Sequence, residues 1–202
     1  MNDCLPALVL LAGGKGSRMD GVDKSALLMG NRTFAEHAAD EFSMFQERLF
    51  MGGVRAVAPR GFLALPDVRE GIGPIGALCS ALRAMHSSAA FVLACDMPFA
   101  VLDTALLLLN EYRLGNADVV YASSQRGIEP LCAIYSRSCA EPLEEMMCSG
   151  EYALWHLRAR VRSSCVSISD SRQLYNVNTW DDYHRIALLC SDDDLSRCNG
   201  AS

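Results

Sequence analysis

The chain has 202 residues, 50% of them hydrophobic and 21% charged, which is the composition of one globular domain with a substantial core. A net charge of −6 argues against a general affinity for nucleic acid or an anionic membrane, although a local basic cluster can still hold a small anion. No apolar run reaches bilayer length, and the short run Leu5 to Leu11 lacks the basic leader and cleavage site of a signal peptide, so a cytoplasmic protein is expected.

In chain order, strand-length apolar runs alternate with helical patterns, which predicts an α/β domain with a largely parallel sheet. The first strand is Ala7 to Leu11. The segment "RTFAEHAADEF" predicts a helix with Thr33 at its start and Glu36 three residues on, a capping-box pattern. Short strands follow at Leu49 to Met51 and near Phe62 to Leu65. "GPIGALCSALRAMH" is a helix entered through Gly73-Pro74, with proline suited to the first helical position. "AAFVLACD" is a buried strand ending on Asp96. A helix from Leu102 to Tyr112 leads to the strands "ADVVYAS" and "EPLCAIYS". Ser138 to Cys148 and Tyr152 to Arg160 read as helical, and "SSCVSIS" alternates like a half-buried strand. A last helix starts at Thr179, whose hydroxyl can cap the amides beyond it. One domain over 1–190 is expected, with a polar, acidic tail over 191–202 that lacks the means to fold.

Nine cysteines form no Cys-x-x-Cys pair, and most lie in apolar runs, so neither a zinc knuckle nor a disulfide framework is indicated. The four histidines make no metal pair at helical spacing, and His37 and His184 read as polar-face residues. Trp155 and Trp180 are expected to pack in the core. Arg158, Arg160 and Arg162 suit either a solvated helix end, where cations complement the dipole, or a phosphate platform, and the former is preferred.

Chemistry concentrates in "LVLLAGGKGSRMDGVDK", Leu8 to Lys24. It is not a P-loop, because the position five before Gly14 is Val9. It is not a dinucleotide fingerprint either, because the last glycine position is Met19. A general phosphate site at the carboxyl end of a strand and a plain Gly-rich turn both fit. Glycines let backbone N–H groups approach an anion, while Lys15, Arg18 and Lys24 supply charge. Asp96, ending its buried strand, stands where open α/β sheets take ligands and could hold a divalent ion between phosphates, or simply cap the next turn.

Five motifs carry a family resemblance in order along almost the whole chain: "LAGGKGSRMDGVDK", "GPIGAL", "CDMPF", "EPLCAIY" and "NVNT". The chain resembles the molybdenum cofactor guanylyltransferases of the MobA family, within the wider nucleotidyltransferase group. That resemblance implies a Rossmann-like three-layer sandwich with a mostly parallel sheet, similar to the nucleotide-diphospho-sugar transferases. It implies transfer of GMP from GTP to the terminal phosphate of molybdopterin, with Mg²⁺ as cofactor and pyrophosphate released. It further implies no nucleic-acid or membrane partner, and transient contact with molybdoenzymes or their chaperones. By the same resemblance Leu11, Ala12 and Gly13 meet the nucleotide, and Gly14 wraps the phosphates. Lys24 contacts the triphosphate, assisted by Arg18. Asp67 contacts the nucleotide, Asp96 binds both the nucleotide complex and the metal, and Asn176 and Asn178 lie near the pterin.

The chain departs from the family pattern in three places. Asp20 stands where a glycine is usual, and Gly52 where the family often has a nucleotide-contacting Asn. Around Glu151 to Ala153 the family can carry an arginine for the pterin phosphate, and Arg126, Arg158 and Arg160 are the candidates to replace it. Two alternatives therefore stand beside guanylyl transfer. One is a cytidylyltransferase or another small-molecule nucleotidyltransferase, and the other a nucleotide-binding paralogue without catalysis.

Overall fold

The first strand, β1 (Ala7–Ala12), is buried through Leu11, as expected of a strand covered on both faces. The computed structural model describes residues 5–12, 23–52, 56–66 and 71–186. A 3₁₀ turn at Lys24–Ala26 leads into a small hairpin of β2 (Leu28–Met29) and β3 (Arg32–Thr33), which the sequence patterns do not reveal. Helix α1 (Phe34–Glu41) starts on the capping box: the Glu36 amide donates to Thr33 Oγ1 at 3.1 Å, and the Thr33 amide donates to Glu36 Oε2 at 2.8 Å. Then come β4 (Arg48–Gly52), β5 (Leu63–Leu65), α2 (Pro74–Ala84), with Pro74 at its first position, and β6 (Ala89–Ala94). Helix α3 (Leu102–Arg113), β7 (Val119–Ser124), β8 (Gly127–Ser136), α4 (Ala140–Cys148) and β9 (Ser163–Ser167) follow. The chain is helical again over 180–186.

Among the described residues, seven strands form one sheet in the order β5-β4-β1-β6-β8-β7-β9. All neighbours are parallel except β8, which runs against both β6 and β7. Alternation along β1 sorts the core into two layers. Ala7, Val9 and Leu11 pack with α2 and α4, including Ile75, Leu78 and Leu143. Leu8 and Leu10 pack on the other face with α1 and α3, including Phe42 and Leu108. The result is the expected three-layer α/β sandwich of mostly parallel strands.

A third, smaller cluster of Leu27, Phe34, Val177 and Ile186 ties the turn after Lys24 to the segment before the final helix. It joins the turn and first helix after Lys24 to the carboxyl-terminal part of the described chain.

Three expectations need correction. Residues 152–160 are not an α-helix: Leu154–Ala159 is 3₁₀, whose three-residue period buries Leu154 and Leu157 and turns Trp155 outward, 55% exposed. Trp180 is 37% exposed, because the final helix buries Ile186 and sets Trp180 with His184, four residues on, along an outer face. Neither tryptophan is a core residue. Cys148 and Cys165 are exposed free thiols rather than buried hydrophobes, while Cys79, Cys95, Cys132 and Cys139 are buried as read. The expected tail lies outside the described residues. No helix among the described residues is long and apolar enough to cross a membrane.

Candidate active site

From β1 the chain builds outward through β4 to β5, then crosses back to add β6 on the other side of β1. Strand order therefore reverses between β1 and β6, and ligands of open α/β sheets bind beyond the carboxyl ends of strands at such a point. Leu11 and Ala94 are opposite each other there, and the Cys95 amide donates to the Leu11 carbonyl at 2.9 Å. Leu11 is buried and Ala12 half-buried at this rim. Gly13, Gly14, Lys15, Arg18, Asp20 and Asp67 lie outside the described residues.

Asp96 follows directly, two residues past the end of β6. Among the described residues its side chain caps no turn. Its Oδ2 accepts from Lys24 Nζ at 2.8 Å, in a pair with both side chains about four-fifths buried (22% and 19% exposed). Lys24 reaches it because Asp23 caps the 3₁₀ turn, its Oδ1 accepting from the Ser25 amide at 3.0 Å and the Ser25 hydroxyl at 2.6 Å. Buried Leu27 then anchors the turn's far end.

The second arm comes from "NVNT". Val177 is fully buried in the third cluster, and its amide donates to the Asp96 carbonyl at 2.9 Å. On either side of the anchored Val177, Asn176 and Asn178 each reach a partner at the rim. Asn178 Oδ1 accepts from Lys24 Nζ at 2.7 Å, and Asn176 Nδ2 donates to Glu129 Oε2 at 2.9 Å. Behind them Thr179 and Asp182 form a reciprocal cap. The Asp182 amide donates to Thr179 Oγ1 at 3.1 Å, and Asp182 Oδ2 accepts from the amides of Asn178 (3.0 Å) and Thr179 (2.9 Å). A 2.6 Å bond from the Tyr175 hydroxyl to Asp182 Oδ1 and the Thr179 contacts hold the Asp182 carboxyl down at about 2, against the cost of its partial burial.

Glu129 is the residue that motif reading overlooks. It stands near the start of β8, and the β6–β8 register, Leu93 opposite Cys132, continued three residues brings it across from Asp96. Burial pushes its carboxyl above the ordinary value; the Leu131 amide and Asn176 work against this, and the Asp96 charge adds to it. The signal was present in "EPLCAIY", an acid opening an otherwise apolar strand. Cys95, the thiol next to Asp96, is pushed far up by burial and by the charges of Asp96 and Asp23, so it is no nucleophile at neutral pH.

Residues 8–165 match the MobA-like NTP transferase domain. The chain belongs to this family. As a MobA-like NTP transferase it is an enzyme of the nucleotidyltransferase class. It is 28% identical over 198 residues to a probable molybdenum cofactor guanylyltransferase of Pelotomaculum thermopropionicum, covering 94% of this chain and 95% of that one. It is 27% identical to a molybdenum cofactor guanylyltransferase of Campylobacter jejuni, covering 88% and 93%. Among solved structures it is similar to molybdopterin-guanine dinucleotide biosynthesis protein A from Archaeoglobus fulgidus, with TM-score 0.77, 25% identity, and coverage of 92% and 99%. It shares the fold of Rv0371c from Mycobacterium tuberculosis, solved in complex with manganese, with TM-score 0.66, 17% identity, and coverage of 91% and 98%.

Of the three arginines weighed from the sequence, two have positions that separate them in this MobA-like NTP transferase. Arg160 pairs with Glu151 at 2.9 Å and Glu145 at 3.8 Å. Arg126, in the β7–β8 turn, lies at the Asp96 end of the sheet with its guanidinium 5.8 Å from the Tyr175 ring centre, beside Asn176. Among the described residues it pairs with no carboxylate. Arg162 is bound to Asp118 at the opposite end of β7, away from this rim. Gly52 also gains a reason. A Cβ there would meet Ala56 Cβ and Phe50 Cε1 at 2.6 Å each, so a side chain does not fit without displacement.

Among the described residues, no three His, Cys, Asp or Glu side chains gather as a protein-only metal site. The Asp96 carboxylate at the rim is a donor that suits a hard cation completed by phosphate oxygens.

Proposed function

We propose that this enzyme transfers GMP from GTP to the terminal phosphate of molybdopterin, giving molybdopterin guanine dinucleotide and pyrophosphate, with Mg²⁺ as cofactor. The observation that carries the reading is the Lys24–Asp96–Asn178 cluster at the point where strand order reverses. The names of relatives matched over nearly their whole length support it. In this reading Leu11, Ala12, Gly13 and Gly14 line the nucleotide and its phosphates, Asp67 contacts the nucleotide, and Arg18 assists Lys24. Residues 1–190 act as one nucleotidyltransferase domain in the cytoplasm.

The attacking group is a phosphate monoester, already anionic, so no general base is required. Its oxygen forms a bond to the α-phosphorus of GTP as the bond from that phosphorus to the bridging oxygen breaks, and pyrophosphate leaves with the electron pair. The barrier lies in bringing two anions together while charge grows on the leaving group. Lys24 answers that charge through its ammonium, and Asp96 orients Lys24 and presents a carboxylate oxygen for the cation. Mg²⁺, when bound to Asp96 and the phosphates, supplies Lewis-acid neutralisation of those oxygens. Asn176 and Asn178 face the pterin, and Arg126 meets its phosphate, since Arg160 is engaged with Glu151 and Glu145.

The test offers GTP, CTP, ATP and UTP separately, each with molybdopterin and Mg²⁺, and follows pyrophosphate release. Release with GTP alone is expected. Release with CTP alone makes the enzyme a cytidylyltransferase, and nucleotide binding without release makes it a catalytically silent paralogue.

A further inference from the structure

A carboxamide presents a donor on one side and an acceptor on the other, and a polar neighbour decides which way it turns. Both asparagines of the site have such a neighbour. Lys24 can only donate, so Asn178 must offer it Oδ1, which leaves the Asn178 amide nitrogen free to donate elsewhere. The Glu129 carboxylate, in its ionised form, can only accept, so Asn176 offers it Nδ2, and Asn176 Oδ1 is left facing away from that contact. Among the described residues nothing hydrogen-bonds either outward atom. Glu129 is itself held by the Leu131 amide at 3.3 Å and by its place in β8.

We infer that Glu129 is a positioning residue that locks Asn176 with its oxygen toward the second substrate, while Lys24 locks Asn178 with its nitrogen toward it. Two residues apart in the chain, the pair then offers one acceptor and one donor. The complementary ligand edge is a ring lactam, an N–H beside a C=O, and the pyrimidinone ring of a pterin carries one. A misplaced amide would set like against like and leave a polar group of the ligand without a partner, which is how such sites discriminate. This rests on the reading that the second substrate is a pterin, and adds what fixes its recognition.

The test measures binding rather than turnover. Wild type, Glu129→Ala, Glu129→Gln, Asn176→Ala and the Glu129→Ala/Asn176→Ala double variant are titrated with molybdopterin and, separately, with GTP. Loss of the lock is expected to weaken molybdopterin binding about tenfold in Glu129→Ala, with GTP affinity held within about twofold. The double variant should bind no worse than Asn176→Ala alone, because one residue acts through the other. Glu129→Gln keeps the shape but allows both amide orientations, with a loss of about threefold expected; it carries the test if the alanine variant fails to fold. Additive losses, an equal loss for GTP, or no loss in either Glu129 variant would overturn the positioning role. A wild-type protein that binds GTP but no molybdopterin would overturn the pterin reading itself.

Discussion

Lys24 Nζ lies 2.8 Å from Asp96 Oδ2 and 2.7 Å from Asn178 Oδ1, so one ammonium joins the turn after the first loop, the end of β6 and the approach to the final helix. Lys24→Ala and Asp96→Ala are each expected to remove about 2–4 kcal/mol of transition-state stabilisation, a loss of about 30- to 1000-fold in kcat/KM, by comparison with other preorganised electrostatic contacts. Pyrophosphate release with Mg²⁺ present measures it. Near-normal turnover in both variants would remove these residues from the mechanism.

Val177 is the peg on which both asparagines hang. Val177→Ala should lower stability by about 1–3 kcal/mol through the cavity it leaves. It should also weaken the second substrate more than the nucleotide. Denaturant unfolding with separate ligand titrations reads both effects, and loss of stability with unchanged ligand affinities would show that the asparagines are held by other contacts.

Asp182 gives the fold an acid dependence with a definite sign. Its carboxyl is depressed to about 2 when folded, so its contribution is fully present above the unfolded value near 4 and fades as pH falls from there toward 2. Full linkage would be about 2.5 kcal/mol, which solvent access to the site reduces to about 1–2 kcal/mol. Asp182→Asn should flatten the stability profile between about pH 4 and pH 2 relative to wild type. Parallel profiles for the two proteins would contradict this.

Restoring the family's frequent asparagine at position 52 should not help. Gly52→Asn puts a Cβ within 2.6 Å of both Ala56 and Phe50, and overpacking of this kind costs about 1–3 kcal/mol. Thermal unfolding should show the loss, and a more stable variant would mean that the loop after β4 yields freely.

Much of this was legible because hydrophobic pattern and local hydrogen bonding decide it. The continuous apolar run of β6 stopping at Asp96, the Thr33–Glu36 box and Pro74 at a helix start each read directly from residue type and spacing. What escaped depends on long-range geometry. The direction of β8 cannot be read from "EPLCAIYS", and without it Glu129 has no reason to stand opposite Asp96. Trp155 looks like a core residue until the backbone winds with a period of three rather than 3.6. Gly52 looked like a lost contact, and only the packing of Phe50 and Ala56 shows that the position has no room.

The bond between Lys24 and Asn178 spans 154 positions, which orders events during synthesis. The amino-terminal half of the sheet can assemble as it leaves the ribosome, but Lys24 has no asparagine to meet until nearly the whole described chain has emerged. Contacts this distant in sequence close late, because the loop entropy must be overcome first. A nascent chain stalled before residue 175 should therefore hold a folded β1–β4–β6 core and still lack the Lys24–Asn178 contact. On the proposed function, nucleotide affinity should appear in such stalled chains before affinity for the second substrate does.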